Sequence, residues 1–282
     1  MSGELIAAVV TPLCDGGEAL DEEAIGPLVE FVEAGGHCDG VFVAGTTGEG
    51  ILLRAEERRR ATEVFCAVSK GRRIIHTGAQ TTAETVALSA HAAESGADGV
   101  AVISPPYFPL DDRAAAEHLI AAGRACAPLP FYIYVFSART GYPLSVAAVE
   151  AVAERVDNLV GLKVTEPSFE AVSPFLGLGL EVLVGSEATI PAAMDAGAKG
   201  AVSALAGIYP EKVRAVIDEP ARQGAADEMS TLYRDLAVDG GLIAGIKAEL
   251  GRRGLPVRTD MRRPLRGASI AHGASSLEAS AG

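Results

Sequence analysis

The sequence predicts an α/β fold, a closed (β/α)8 TIM barrel with additional C-terminal helices. Three observations carry the prediction. Short apolar runs, about eight of them, alternate with helix-length segments, the pattern of a parallel sheet covered by helices. A turn recurs where helix gives way to strand: Ala34-Gly35-Gly36-His37-Cys38-Asp39-Gly40-Val41, Ser95-Gly96-Ala97-Asp98-Gly99-Val100 and Ala196-Gly197-Ala198-Lys199-Gly200-Ala201. In each, one Gly suits a left-handed helix cap and a second Gly suits a tight start to the strand. Finally, no GxGxxG follows the first strand, which counts against an open dinucleotide-binding sheet. The barrel is expected over residues 1–208 and a helical extension over 209–266. Residues 267–282 have the small-residue composition of a disordered tail.

The elements follow in order. Leu5–Val10 is an apolar strand stopped by Thr11-Pro12. Asp21–Ala34 has helical spacing, with Asp21 as N-cap and Gly35-Gly36 as the stop. Gly40–Ala44 is the second strand and runs into the loop Gly45-Thr46-Thr47-Gly48-Glu49-Gly50. Ala55–Ser69 is a charged helix, Arg73–Gly78 a strand, Thr82–Glu94 a helix and Gly99–Ile103 a strand closed by Ser104-Pro105-Pro106-Tyr107-Phe108. Asp111–Cys126 is helical and Phe131–Phe136 is a strand carrying Tyr134. Ser145–Arg155 is a helix, Leu159–Val164 the strand with Lys163, and Ser168–Leu176 a helix. Glu181–Val184 is a strand ending in Gly185-Ser186, Glu187–Ala196 a helix and Gly200–Ala204 the eighth strand. Helices over Pro210–Ile217, Pro220–Ala237 and Gly241–Arg253 follow.

Composition excludes several classes of function. The 282 residues carry a net charge of −13, and no basic patch suits a nucleic acid. The arginine runs Arg58–Arg60 and Arg262–Arg266 are short and read as a solvated helix face and a C-terminal turn. Cys14, Cys38, Cys66 and Cys126 are scattered, as reduced cytoplasmic thiols are. The five histidines lack HExxH or HxxxH spacing, so no metal is expected. No signal peptide and no apolar run of membrane-spanning length stands out, so no membrane partner is expected.

The polar residues that remain fall at the C-terminal ends of strands: Thr11, Thr46, Thr47, Tyr107, Arg139, Lys163 and Ser186. In a barrel that end is the active-site face. Lys163 lies among Val160, Leu162 and Val164, where an ammonium is expensive to desolvate. A partly neutral lysine is what attack on a carbonyl requires. The loop Gly45–Gly50 lacks the Gly-Lys-Ser/Thr of a phosphate loop, but its amides and two hydroxyls suit a carboxylate. Singly, each residue has an ordinary explanation. Lys163 can snorkel from a strand end, Tyr134 can be core, Tyr107 a loop anchor, Arg139 a solvated turn residue and Lys247 an exposed position on an amphipathic helix.

Their order along the chain resembles one family. GTTGE after the second strand, PPY after the fourth, Tyr134 with Ala138-Arg139-Thr140-Gly141 around the fifth and Gly161-Leu162-Lys163 on the sixth are similar to the dihydrodipicolinate synthase / N-acetylneuraminate lyase family of class I pyruvate aldolases. The resemblance runs from Leu5–Pro12 to about Arg263-Pro264-Leu265 and includes Ile246-Lys247-Ala248. It implies that Lys163 forms an imine with pyruvate or another 2-oxo acid, with no metal or nucleotide cofactor. It further implies that Tyr134 shuttles protons, that Thr47 and Tyr107 relay them, and that Thr46 and Thr47 hold the pyruvate carboxylate. Val202 then faces the pyruvate through its backbone, and Ser186 lines the substrate pocket. In relatives the counterpart of Tyr107 can come from a neighbouring subunit, so a homo-oligomer, dimer or tetramer, is implied. Arg139 occupies the place where synthases hold the carboxylate of aspartate semialdehyde.

The chain departs from that pattern around the pocket. Val135-Phe136-Ser137 stands where many relatives have Asn-Val-Pro, and Val164-Thr165-Glu166-Pro167 where synthases commonly have Glu-Ala-Thr-Gly. Gly185-Ser186-Glu187 replaces Gly-Asp-Asp/Glu. Arg139 favours a 4-hydroxy-tetrahydrodipicolinate synthase acting on pyruvate and an aldehyde. The departures keep open an aldolase or dehydratase of 2-keto-3-deoxy sugar acids or 4-hydroxy-2-oxo acids. A non-catalytic barrel that binds a 2-oxo acid is the alternative of another class.

Overall fold

The eight barrel strands form where β-branched and aliphatic residues alternate between two buried faces. A computed structural model describes residues 3–238 and 241–268. In chain order the strands are β1 (Glu4–Ala8), a hairpin of β2 (Leu13–Cys14) and β3 (Ala19–Leu20), then β4 (Gly40–Val43), β5 (Arg72–His76), β6 (Gly99–Ile103), β7 (Phe131–Val135), β8 (Leu159–Val164), β9 (Glu181–Val184) and β10 (Gly200–Ser203). Apart from the hairpin, the strands form a closed parallel barrel in the order β1-β10-β9-β8-β7-β6-β5-β4 and back to β1. The helices are α1 (Glu22–Glu33), α2 (Ala55–Val68), α3 (Thr82–Glu94), α4 (Asp112–Ala125), α5 (Ser137–Thr140), α6 (Val146–Ala153), α7 (Phe169–Leu176), α8 (Ile190–Asp195), α9 (Pro210–Asp218), α10 (Ala225–Leu236) and α11 (Leu242–Arg252).

Period-two alternation sorts the side chains into two cores. Ile6, Ala8, Phe42, Ile74, Ala101, Ile103, Tyr132, Tyr134, Leu183 and Val202 fill the barrel. Their neighbours Leu5, Val41, Ile75, Val100, Ile133, Leu162 and Val164 face the helices in the larger outer core. Lys163 lies between two outward residues, so it points inward near the C-terminal end of β8. There it sits opposite Tyr134 of β7 in the strand register. At the other end of the barrel the Tyr132 hydroxyl meets the Arg72 guanidinium and donates to Glu181 at 3.3 Å. Arg72 also pairs with Glu4 at 2.9 Å. This half-buried polar cluster joins the first residues of β1, β5 and β9 to Tyr132 of β7.

The junction glycines behave as their spacing predicts. Gly96 and Gly197 have φ of +84° and +96°. A Cβ on Gly40 or Gly200 would come within 2.0 Å of a carbonyl oxygen on the adjacent strand. Asp111 and Ser145 cap their helices by accepting the Ala114 and Ala148 N–H groups at 2.8 and 3.0 Å. Asp21 makes no such bond, because its carboxylate pairs with Arg258 at 3.2 Å. The hairpin and α5 lack a sequence signal; two-residue strands and a single helical turn are too short to show a period. The tail expected over residues 267–282 lies outside the described residues beyond position 268. No helix among the described residues is long and apolar enough to cross a membrane.

Three expectations about charge are corrected. Lys247 is fully buried rather than exposed, and its ammonium pairs with Glu49 at 2.5 Å and donates to the Asp260 carbonyl at 2.7 Å. Arg58 is buried too, donating to the carbonyls of Gly78 and His76 at 2.9 and 2.8 Å. Arg262 pairs with Glu57 at 2.7 Å inside the protein. In each case a partner distant in sequence satisfies a charge that the local pattern assigns to solvent.

Candidate active site

The mouth of the barrel is built from strand ends. β8 contributes Lys163, β7 contributes Tyr134, and the loop after β4 contributes Thr46 and Thr47. These residues line one cavity of about 250 Å³ together with Arg139, Thr165, Glu187, Val202 and Tyr233.

Lys163 is 5% exposed. Its Nζ lies 4.0 Å from the centre of the Phe42 ring and 4.1 Å from that of Tyr134. Two aromatic faces offer an ammonium some attraction but no hydrogen bonds equal to water's. Burial therefore pushes the Lys163 pKa down to about 7, with the Glu187 carboxylate acting in the opposite sense. Near neutrality a large share of Lys163 is a free amine with its lone pair inside the cavity.

Burial also raises the Tyr134 phenol, while the Thr46 and Thr165 hydroxyls and the Arg139 charge pull it back. Its hydroxyl stands 3.4 Å from Thr46 Oγ1. The ring packs edge-on against Phe42 and His76. Glu187 is buried, and its carboxylate accepts the Ser203 hydroxyl at 2.8 Å and the Leu205 N–H at 3.1 Å. Burial raises its pKa against those bonds.

The loop Gly45–Gly50 is folded tightly against the strand before it. Gly50 donates to the Gly45 carbonyl at 3.1 Å, Glu49 to Thr46 at 3.1 Å, and the Thr11 hydroxyl donates to the Gly48 carbonyl at 2.6 Å. A Cβ on Gly50 would come within 1.8 Å of the Ala44 carbonyl oxygen. Glu49 adopts φ +55°, and its carboxylate is fixed by Lys247 and by the Arg262 N–H at 2.8 Å. The loop is therefore held in one shape from both sides, with both threonines facing the cavity.

The structure brings Lys163, Tyr134, Thr46, Thr47, Arg139 and Val202 to this one cavity. It leaves two expected residues outside. Ser186 lines an adjoining cleft with Thr165, Glu166, Glu187, Ser230 and Tyr233. Tyr107 is 82% exposed, with φ +85°, and stacks edge-on against Phe108 at 4.9 Å. Glu187 and Thr165 show in the sequence only as parts of motifs that depart from the family pattern, with no role assigned, and Tyr233 does not show at all. The strand-end rule that flags Ser186 also covers Glu187. Tyr233 carries no such signal, because it reaches the mouth from α10, outside the barrel. Among the described residues no group of three or more His, Cys, Asp or Glu side chains is placed to hold a metal ion.

Comparison with known proteins agrees with this architecture. Residues 1–276 match the model of the dihydrodipicolinate synthetase family. A DapA-like lyase of Halobacterium salinarum is 37% identical over 93% of this chain and 88% of its own. The 4-hydroxy-tetrahydrodipicolinate synthase of Aquifex aeolicus is 34% identical over 75% of this chain and 72% of its own. The structure of Proteus mirabilis N-acetylneuraminate lyase superposes with a TM-score of 0.84 at 28% identity, covering 95% of this chain and 94% of that one. The chain belongs to the dihydrodipicolinate synthetase family, whose members are class I pyruvate-dependent lyases.

Proposed function

We propose that this protein is a Schiff-base aldolase of the synthase type, condensing pyruvate with an aldehyde that carries a carboxylate. The observation that carries the proposal is the buried Lys163 amine in a cavity that Arg139 also lines. The Lys163 amine adds to the ketone of pyruvate, and loss of water leaves an iminium ion. Loss of a methyl proton then gives an enamine, whose carbon attacks the aldehyde. The new alkoxide takes a proton, and water releases the product and restores the amine. Tyr134 moves these protons. The Thr46 and Thr47 hydroxyls and amides receive the pyruvate carboxylate, and the Val202 backbone faces it. The lysine itself supplies the electron sink, so this sequence of steps calls for no metal or nucleotide.

Arg139 is exposed, and its guanidinium contacts the face of Phe136, with Cζ 5.6 Å from the ring centre. A planar fork of donors suits a carboxylate, which favours aspartate 4-semialdehyde and the 4-hydroxy-tetrahydrodipicolinate synthase reaction. One observation supports a second reading. The adjoining cleft is lined by Thr165, Ser186, Ser230 and Tyr233, whose hydroxyls suit a polyhydroxylated acceptor, as in sugar-acid aldolases. Tyr107 is proposed to complete the proton relay of a neighbouring subunit in a dimer or tetramer. The four free cysteines fit a reducing compartment, the cytoplasm.

Borohydride reduction in the presence of pyruvate, followed by peptide mass spectrometry, tests the proposal. A reduced adduct on the Lys163 peptide, absent from Lys163→Ala, is expected. A folded protein that forms no adduct with any 2-oxo acid would instead be a non-catalytic binding barrel. Turnover with aspartate 4-semialdehyde but not with sugar acids separates the two enzymatic readings.

A further inference from the structure

We propose that Glu166 is a positioning residue that sets the affinity for the acceptor aldehyde by holding Arg139 in place. This inference rests on the reading of Arg139 as the partner of the acceptor's carboxylate. Arg139 lies on α5, a single four-residue turn, and a lone turn does not hold its own shape in water. Its geometry must come from outside.

Glu166 provides it at one end. One carboxylate oxygen accepts the Ser137 N–H at 2.8 Å, and the other accepts the Ser137 hydroxyl at 2.6 Å. The carboxylate is only 7% exposed, so both charge-assisted bonds are shielded from water. The other end of the turn is tied down separately. Gly141, at φ +83°, donates to the Ser137 carbonyl at 2.8 Å, and the Thr140 hydroxyl donates to the Tyr142 carbonyl at 2.5 Å. The Tyr142 hydroxyl in turn donates to the Pro105 carbonyl at 2.9 Å.

Among the described residues, the Arg139 side chain has little to fix it beyond the Phe136 ring. The backbone of α5 therefore sets where the side chain starts and the region its guanidinium can reach, and the start of α5 is fixed by Glu166. Glu166 comes three residues after Lys163 on the same strand end, just as Ser137 comes three residues after Tyr134. The clamp thus sets the span between the amine and the guanidinium. Among the described residues Glu166 makes no ion pair with Arg139, so it orders the turn through Ser137 and leaves the guanidinium for the acceptor.

The test is steady-state condensation of pyruvate with aspartate 4-semialdehyde by the full chain. Loss of a charge-assisted clamp in Glu166→Gln is expected to raise KM for the semialdehyde about tenfold. The pyruvate concentration that half-saturates borohydride trapping on Lys163 should stay within about twofold. Ser137→Ala should shift KM in the same direction, and the double variant should be no worse than Glu166→Gln alone. If Glu166→Gln does not fold, Ser137→Ala decides. Equal shifts for both substrates would reduce Glu166 to a general structural role and overturn the proposal. Arg139→Gln is measured in parallel. If it leaves KM unchanged, or the unaltered protein does not turn over the semialdehyde, the reading of Arg139 fails and this inference falls with it. If Arg139→Gln raises KM while Glu166→Gln and Ser137→Ala do not, only the clamp is wrong.

Discussion

Lys163 is the residue whose environment works against its own charge. A pKa lowered from 10.5 to about 7 means that the folded protein binds fewer protons than the unfolded chain between those values. Stability from this group therefore rises with pH from about 7 to about 10.5, and its penalty is fully present below about 7. Lys163→Met is expected to stabilise the protein at pH 7 by a few kcal/mol, roughly 1.4 kcal/mol for each tenfold by which burial disfavours the ammonium, and to abolish trapping. Urea unfolding at pH 7 and pH 10 checks it: the gain should shrink at the higher pH. The initial rate of pyruvate trapping should rise with pH and level off above about 7, as the free amine becomes the main form. A flat profile from pH 6 to pH 9 would contradict a depressed lysine. This residue was legible in the sequence because an ammonium in an apolar strand is costly, although snorkelling from the strand end explained it equally well until its neighbours were considered. Tyr134 was legible only by company, since tyrosine in a strand is unremarkable alone.

Among the elements, the loop after β4 depends on a helix about two hundred residues away. Glu49 and Lys247 are both fully shielded, so removing one leaves the other as an unpaired buried charge. Lys247→Met is expected to destabilise the protein by about 3–5 kcal/mol, and adding Glu49→Gln to recover part of that loss. Denaturant midpoints of the two single variants and the double variant measure the coupling. The sequence could not show this pair. Local spacing puts Lys247 on an amphipathic helix and Glu49 in a loop, and neither pattern encodes what the other covers. Arg58 and Arg262 were misplaced for the same reason. The barrel strands and most helices fall within a few residues of their expected bounds, because each carries its own periodicity and its own stop signal. The stretches that depart from the family pattern, at Phe136-Ser137 and Thr165-Glu166, meet in space as the Ser137–Glu166 hydrogen bonds. The sequence marks both as unusual but does not pair them.

At the scale of the whole molecule, the barrel could be read from repetition, whereas the exposure of an aromatic pair at its mouth could not. Tyr107 and Phe108 stand 82% and 71% exposed on the active-site side of β6. Aromatic pairs of that kind favour burial in an interface. Sedimentation of the unaltered chain should give a mass of at least a dimer, and Tyr107→Ser with Phe108→Ser should lower it and slow turnover. A monomer with full activity would remove Tyr107 from the proposed relay. The cluster of Glu4, Arg72, Tyr132 and Glu181 has a kinetic meaning of its own. It ties strands together at the end of the barrel opposite the mouth, and the cavity that holds Lys163 opens among the C-terminal strand ends. A molecule bound at Lys163 then sits behind whatever binds after it. Under the proposed condensation, pyruvate is loaded before the aldehyde, and the two leave together as one product.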